Sequence, residues 1–231
     1  MDLLALVADQ RCVACAAPGA LLCGPCRRLL PWLEPAGCAR CGGPVARPCP
    51  TCARLDPALA QVRSAVRLAG PARDAVRAWK DEARVPVARL AAGCIAGAVA
   101  PPAGAVLVPV PGAPERAAWR GVDGPSDLAR RLARRWGLEL RADLLVRTDE
   151  RAQRGRGAAA RRRLAGRSFA ARGRAPARCV VVDDVMTTGA TLSACAALLA
   201  RQGAREVAAV TFARVVTEPL GKGLPPGEGE E

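Results

Sequence analysis

RCVVVDDVMTTGATL, residues 178–192, opens with a short apolar run, Cys179 to Val182, rich in β-branched side chains. That composition, bounded by turn signals, predicts a buried parallel strand. Two carboxylates, Asp183 and Asp184, follow at its carboxyl end, and then the small loop Thr187-Thr188-Gly189-Ala190-Thr191. A helical pattern runs from Leu192 to Gln202, with Gly203 placed to end it. In an open α/β sheet, ligands sit beyond the carboxyl ends of the strands, and a loop entering a helix offers free N–H groups to an anion. The chemistry predicted is therefore in two parts. Backbone amides and threonine hydroxyls would cradle a phosphate, and the two acids would accept hydrogen bonds from vicinal sugar hydroxyls. An acidic pair that merely caps a surface turn is the plainer account, but the whole order of strand, acids, hydroxyl–glycine loop and helix is harder to reach by accident.

Working outward, the flanking segments alternate in the same way. Val62 to Leu68 is predicted as a half-exposed strand, and Ala72 to Glu82, opened by Pro71, as a helix. A second helix is predicted over Val87 to Ala98, and a short strand over Ala105 to Val108. Pro109-Val110-Pro111 must leave the sheet, because two prolines so close forbid continued ladder pairing. A helix over Pro125 to Trp136 presents Arg130, Arg131, Arg134 and Arg135 on its polar side, and Leu140 to Val146 reads as the next strand. Arg147 to Arg167 is dense in arginine and poor in apolar pattern, which suits a segment ordered only by something anionic. Val207 to Phe212 is the last expected strand, and Thr217 to Glu231 has the composition of a disordered tail. The alternation predicts an α/β domain with a parallel sheet and helices on both faces.

Residues 12–52 are of another kind. They hold eight of the eleven cysteines as four pairs, Cys12/Cys15, Cys23/Cys26, Cys38/Cys41 and Cys49/Cys52, each spaced CxxC, with gaps of 7, 11 and 7 residues between pairs. Eight thiolates suffice for two tetrahedral all-thiolate zinc sites. Sequential and crossed pairing are both compatible with the gaps. Disulfides are disfavoured in a cytosolic chain, and a redox CxxC lacks its usual βαβ surroundings. So few large apolar side chains cannot build a core alone, so metal is expected to contribute the folding free energy.

Composition narrows the classes further. The 231 residues carry a formal charge of +14, almost entirely from arginine, since Lys80 and Lys222 are the only lysines. Arginine forks suit phosphate, so anionic partners are expected, although a GC-rich genome alone would also enrich arginine. The absence of histidine excludes Ser-His and Cys-His catalysis and His-ligated metals. No apolar run is long enough for a membrane span and no signal-peptide pattern is evident, so a cytoplasmic location is expected.

The 178–192 segment resembles the phosphoribosyl-pyrophosphate (PRPP) signature of type I phosphoribosyltransferases. Three further blocks extend the likeness: the four CxxC pairs, VLVPVPGAPERAAWRG (106–121) with LARRLARRWG (128–137), and LLVRTDERAQRGRGAAARRR (144–163) with Phe169 beyond it. Together with VVVDDVMTTGATL and VAAVTFAR (207–214), these resemble the ComF family, competence-type phosphoribosyltransferase-like proteins with an N-terminal double zinc ribbon. The resemblance implies a zinc-ribbon module over 1–55, a phosphoribosyltransferase-like domain over 56–216 and a tail over 217–231. It implies PRPP as ligand, with Asp183 and Asp184 on the ribose hydroxyls and Thr187, Thr188, Gly189, Ala190 and Thr191 around the 5′-phosphate. Val110, Pro111, Arg116 and Arg120 fall on the pyrophosphate side, Arg120 grouped with the two acids as catalytic, and Arg147, Gln153 and Arg161 on a closing loop. It further implies two structural zinc ions, Mg²⁺ with PRPP, and links to single-stranded DNA and competence or DNA-processing proteins. The chain departs from the family where RGFNQ is usual, having Arg120-Gly121-Val122-Asp123-Gly124, and at Arg156 and Leu164, all on the acceptor side. Two functions from different classes follow: transfer of phosphoribosyl to a nitrogenous acceptor, or non-catalytic single-strand binding with the PRPP fold as sensor or scaffold. A plain interaction module with a solvated arginine face is a third.

Overall fold

The computed structural model describes residues 10–33, 37–44, 48–114, 118–119, 121, 123–148 and 168–216. The elements in order are α1 (Gly24–Arg28), β1 (Leu59–Arg67), α2 (Gly70–Asp81), α3 (Val87–Ala98), β2 (Val106–Pro109), α4 (Gly124–Trp136), β3 (Leu145–Arg147), β4 (Phe169–Ala171), β5 (Arg178–Met186), α5 (Ala190–Arg201) and β6 (Glu206–Arg214). Four strands form a parallel sheet in the order β1-β6-β5-β2, and β3 and β4 form a separate antiparallel pair. The predicted α/β architecture is thus present.

Strand β5 shows how the sequence produces the layers. Successive side chains of a strand point to opposite faces, and here both faces are covered. Val180 and Val182 join the core under α2, α3 and α4, with Trp79, Ile95, Leu107, Leu128, Leu132 and Phe212. Cys179 and Val181 join a second core with Val108, Leu192, Cys195, Leu199 and Ala209, beneath α5. A central strand buried on two sides needs the unbroken apolar run that residues 179–182 supply.

Three expectations are refined. The strand does not stop before the acids: β5 pairs with β6 as far as Met186↔Arg214, so Asp183, opposite Thr211, lies inside the ladder. The region from Leu140 is not one strand. Leu140 makes a single bridge to Leu107, and β3 begins only at Leu145 because Arg141–Asp143 forms a turn closed by its own ion pair, Arg141 Nη2 to Asp143 Oδ2 at 2.9 Å. Strand β4, unforeseen in the sequence, pairs with β3, and Thr148 N–H donates to Ser168 C=O at 3.0 Å. The arginine-rich stretch therefore starts and ends at one closed ladder, its interior lying outside the described residues, as does the 217–231 tail.

The cysteine units are built into this body. Cys12, Leu22, Cys26 and Leu30 belong to the core under α2–α4, whereas Cys41 and Leu55 belong to the core under α5. Among the described residues no helix is long and apolar enough to cross a membrane.

Candidate functional site

The carboxyl edge of the sheet brings together the end of β5, the turn into α5, the chain leaving β2 and the first turn of α4. Val110 N–H donates to Val182 C=O at 2.9 Å, which carries the 110–112 turn across β5 just before the acids. Alternation then separates the two carboxylates. Asp184, buried, turns toward α2, where Lys80 Nζ lies 2.7 Å from its Oδ1. Asp183 turns toward α5, and its charge reinforces the burial that keeps the Cys195 thiol protonated. Burial lifts the Asp183 carboxyl to about 8, and the neighbouring Asp184 charge adds to this. The Asp184 N–H, 2.8 Å from Asp183 Oδ1, and the Lys80 charge oppose the rise.

Two members of this edge, Asp123 and Lys80, have no assigned role in the sequence pattern. Asp123 stands at the start of α4, where Asp127 N–H donates to its carbonyl at 2.9 Å and Ser126 Oγ–H to its Oδ2 at 2.5 Å. Its carboxylate lies so close to Gly112 that a Cβ there would collide with Asp123 Oδ1. Asp123 also adds to the forces that raise Asp183. The Asp-Gly-Pro-Ser pattern marks a helix start, not a ligand. Lys80 stands out in the sequence only as one of two lysines in an arginine-rich chain.

The turn from Thr187 to Thr191 has exposed threonines at 187 and 188 and a buried glycine at 189. Gly189 has φ +80°, a backbone state that side chains disfavour. The Thr188 hydroxyl accepts from Ala190 N–H at 3.4 Å, and α5 starts at Ala190 with its first amides facing outward along the axis. An anion there would meet the N–H groups of the first turn and the positive end of a 12-residue helix.

Arg147, at the end of β3, stacks its guanidinium 5.3 Å from the centre of the Phe169 ring, its ladder partner. Of the other residues expected at the site, Val110 and Pro111 lie on the edge, while Arg116, Arg120, Gln153 and Arg161 lie outside the described residues.

The thiolates form two compact sets, Cys12/Cys15/Cys23/Cys26 and Cys38/Cys41/Cys49/Cys52, with all four sulfurs of a set within 4.8 Å of one another. The structure therefore selects sequential pairing. Neighbouring sulfurs approach to 3.5–3.6 Å, close to the roughly 3.8 Å edge that a tetrahedron with Zn–S bonds of about 2.3 Å requires. Both sets repeat one turn: the residue after the second cysteine has a left-handed backbone, Ala16 at φ +59° and Gly42 at φ +66°. Burial opposes ionisation of Cys12, but the N–H groups of Cys23, Cys15 and Ala14 outweigh it and bring the thiol to about 6. Cys38 also falls to about 6, chiefly through the Cys41 N–H. Cys26 and Cys52 are pushed up, Cys26 mainly by its cysteine neighbours and Cys52 mainly by burial. Four crowded sulfurs cannot all ionise unaided, and a dication at their centre removes that obstacle. Both sets could hold a zinc ion.

The second set is tied down by arginines. Arg40 donates to the carbonyls of Cys52 (3.2 Å), Asp56 (2.7 Å) and Leu59 (3.1 Å). Arg214, 2% exposed at the end of β6, donates from Nη1 to Cys41 C=O.

Residues 125–222, from α4 through the acidic strand and beyond β6, match the phosphoribosyl transferase domain family. The chain thus carries a phosphoribosyltransferase-like region. Similar solved structures include a protein from Thermus thermophilus, at 19% identity over 58% of this chain and 83% of that one, with a TM-score of 0.31. A purine phosphoribosyltransferase from Pyrococcus horikoshii aligns at 17% identity over 66% of this chain and 95% of that one, with a TM-score of 0.32. No curated protein matches the sequence.

Proposed function

We propose that the carboxyl edge of the sheet binds PRPP and that the protein transfers its phosphoribosyl group to a nitrogenous acceptor. The observation that carries this reading is the junction of β5 and α5. There, two carboxylates near the end of β5 are followed directly by a turn whose amides and hydroxyls suit a phosphate, inside the region that matches the phosphoribosyl transferase domain.

In this reading Asp183 and Asp184 accept hydrogen bonds from the two ribose hydroxyls. Thr187–Thr191 hold the 5′-phosphate through backbone N–H groups. The Val110–Gly112 turn, with Arg116 and Arg120, receives the pyrophosphate, and Arg147, Gln153 and Arg161 belong to the segment that closes over it. Lys80 orients Asp184 through their contact. Transfer breaks the bond from sugar C1 to the pyrophosphate oxygen and forms one from C1 to the acceptor nitrogen, which loses its proton. The developing negative charge on pyrophosphate is where arginine is of most use. Mg²⁺, when bound with PRPP, would supply further charge neutralisation through hard oxygen ligands. Calorimetric titration with PRPP–Mg²⁺ tests the reading: saturable binding that Asp183→Asn/Asp184→Asn weakens supports it, and no binding by the wild type refutes it.

A second reading, non-catalytic single-strand binding with the PRPP fold as sensor or scaffold, is favoured by one feature. A groove of about 850 Å³ between the first cysteine unit and α3–α4 is lined by Arg27, Arg89, Arg131 and Arg135 over an apolar floor that includes Leu21, Val85 and Leu90. Arg131 is paired with Asp127 at 3.0 Å, and among the described residues the groove lining contains no acidic side chain. Fluorescence anisotropy with a labelled oligonucleotide across salt separates the two: a steep salt dependence supports it, and absence of saturable binding ends it.

A further inference from the structure

We propose that Leu55 is a positioning residue for the Thr187–Thr191 turn and that the second thiolate unit holds it there. This rests on the phosphate reading of that turn. Gly189 is the pivot of the turn, and the space a Cβ would occupy is already filled, by Leu55 Cδ2 and, at 3.0 Å, by Met186 Cε. The left-handed backbone at 189 is thus pressed from outside by a side chain more than 130 positions earlier in the sequence. A glycine has no side chain to anchor its own conformation, so the contact supplies what the turn lacks.

The backbone on both sides of Leu55 is fixed. Cys52 is a member of the second thiolate set and starts the short turn Cys52–Arg54, and Leu55 N–H donates to Cys52 C=O at 3.2 Å. Arg40, two residues from Cys38, clamps the carbonyls of Cys52 and Asp56 with one guanidinium. Beyond Leu55, Asp56 N–H donates to Ser193 Oγ at 3.1 Å, and Ser193 N–H in turn donates to Gly189 C=O at 2.9 Å. Residues 55 and 56 therefore hold the two ends of the first turn of α5. Leu55 itself is 6% exposed. The outcome is a phosphate-binding turn whose shape is set by a neighbouring segment that the Arg40 bonds and the second thiolate set fix.

When the binding-competent shape is populated only in part, apparent affinity falls by that fraction. Leu55→Ala is therefore expected to weaken PRPP–Mg²⁺ binding about tenfold if the competent shape falls to about one-tenth. Hydrogen exchange at residues 187–192 should rise while the amides of β5 and β6 keep their protection. Leu55→Met should restore affinity. Leu22→Ala, an equal truncation in the first cysteine unit, should leave it within about twofold, since distant sites act independently. If Leu55→Ala does not fold, Leu55→Val carries the same comparison with a smaller expected loss. Wild-type affinity in the Leu55 variant overturns the proposal, and so does equal weakening by Leu22→Ala. A wild type that fails to bind PRPP removes the phosphate reading first and this inference with it.

Discussion

Asp183 is where the electrostatics of the sheet edge concentrate. Its carboxyl lies at about 8, far above the ordinary 3.8, because burial and Asp184 both oppose its charge. The native chain therefore holds a proton between those values that the unfolded chain has lost, so stability contributed at this position falls as pH rises through that window. Asp183→Asn should flatten that part of the pH–stability curve, measured by denaturant unfolding across the neutral range. If the carboxylate receives a ribose hydroxyl, PRPP binding near neutral pH should release a proton. Calorimetry in two buffers of different ionisation enthalpy reads it, and Asp183→Asn should abolish the release. The double change Asp183→Asn/Asp184→Asn removes two charge-assisted hydrogen bonds, each worth about 1.5–3 kcal/mol, and should cost at least roughly tenfold in affinity. Ala16 gives a simpler expectation. At φ +59° it bears a strain that glycine avoids, so Ala16→Gly should be neutral or stabilising by up to about 1 kcal/mol in thermal unfolding.

Among the elements, the turn into α5 is the most constrained. Gly189 combines a left-handed φ with a Cβ position blocked by Leu55 and Met186. Gly189→Ala should therefore destabilise the protein by more than the roughly 1 kcal/mol of a simple left-handed alanine, since the blocked space adds overpacking. Thermal unfolding with and without PRPP checks it, and the loss of affinity should exceed what the change in stability alone explains. The two cysteine units repeat one architecture, with four thiolates and a left-handed residue after the second cysteine. Native mass spectrometry of the intact chain should show two zinc ions, one per set.

In the whole molecule the two cysteine units serve opposite faces of one sheet. Cys12, Cys26 and Leu30 share the core under α2–α4, and Cys41 and Leu55 share that under α5. Metal loss is therefore not expected to melt the cysteine region alone. Chelation should lower the melting temperature of the sheet as well, and circular dichroism during a chelator titration would show one coupled transition. The charge of +14 acts at the same scale. If the groove lined by Arg27, Arg89, Arg131 and Arg135 takes phosphates of a single strand, log affinity should fall with log salt at about −0.7 per contact, hence about −3 for four. Replacing Arg89 and Arg135 by alanine should make the slope shallower by about 1.4.

The sequence by itself determined the parallel α/β sheet, the place of the acids before a hydroxyl–glycine turn and the four CxxC pairs. Each of these is a local pattern: an apolar run buried on two sides, a strand–loop–helix order, a CxxC spacing. Tertiary structure alone decided which cysteine pairs join, because both pairings fit the spacing and only three-dimensional packing selects one. It alone sent Asp183 and Asp184 to different faces, since the ladder with β6 extends the strand past them to Met186. And it alone brought Lys80, Asp123 and Leu55 to the edge. These three lie on segments far from residue 183 in the sequence, and the short-range patterns that reveal helices and strands carry no information about which distant side chains a fold places in contact.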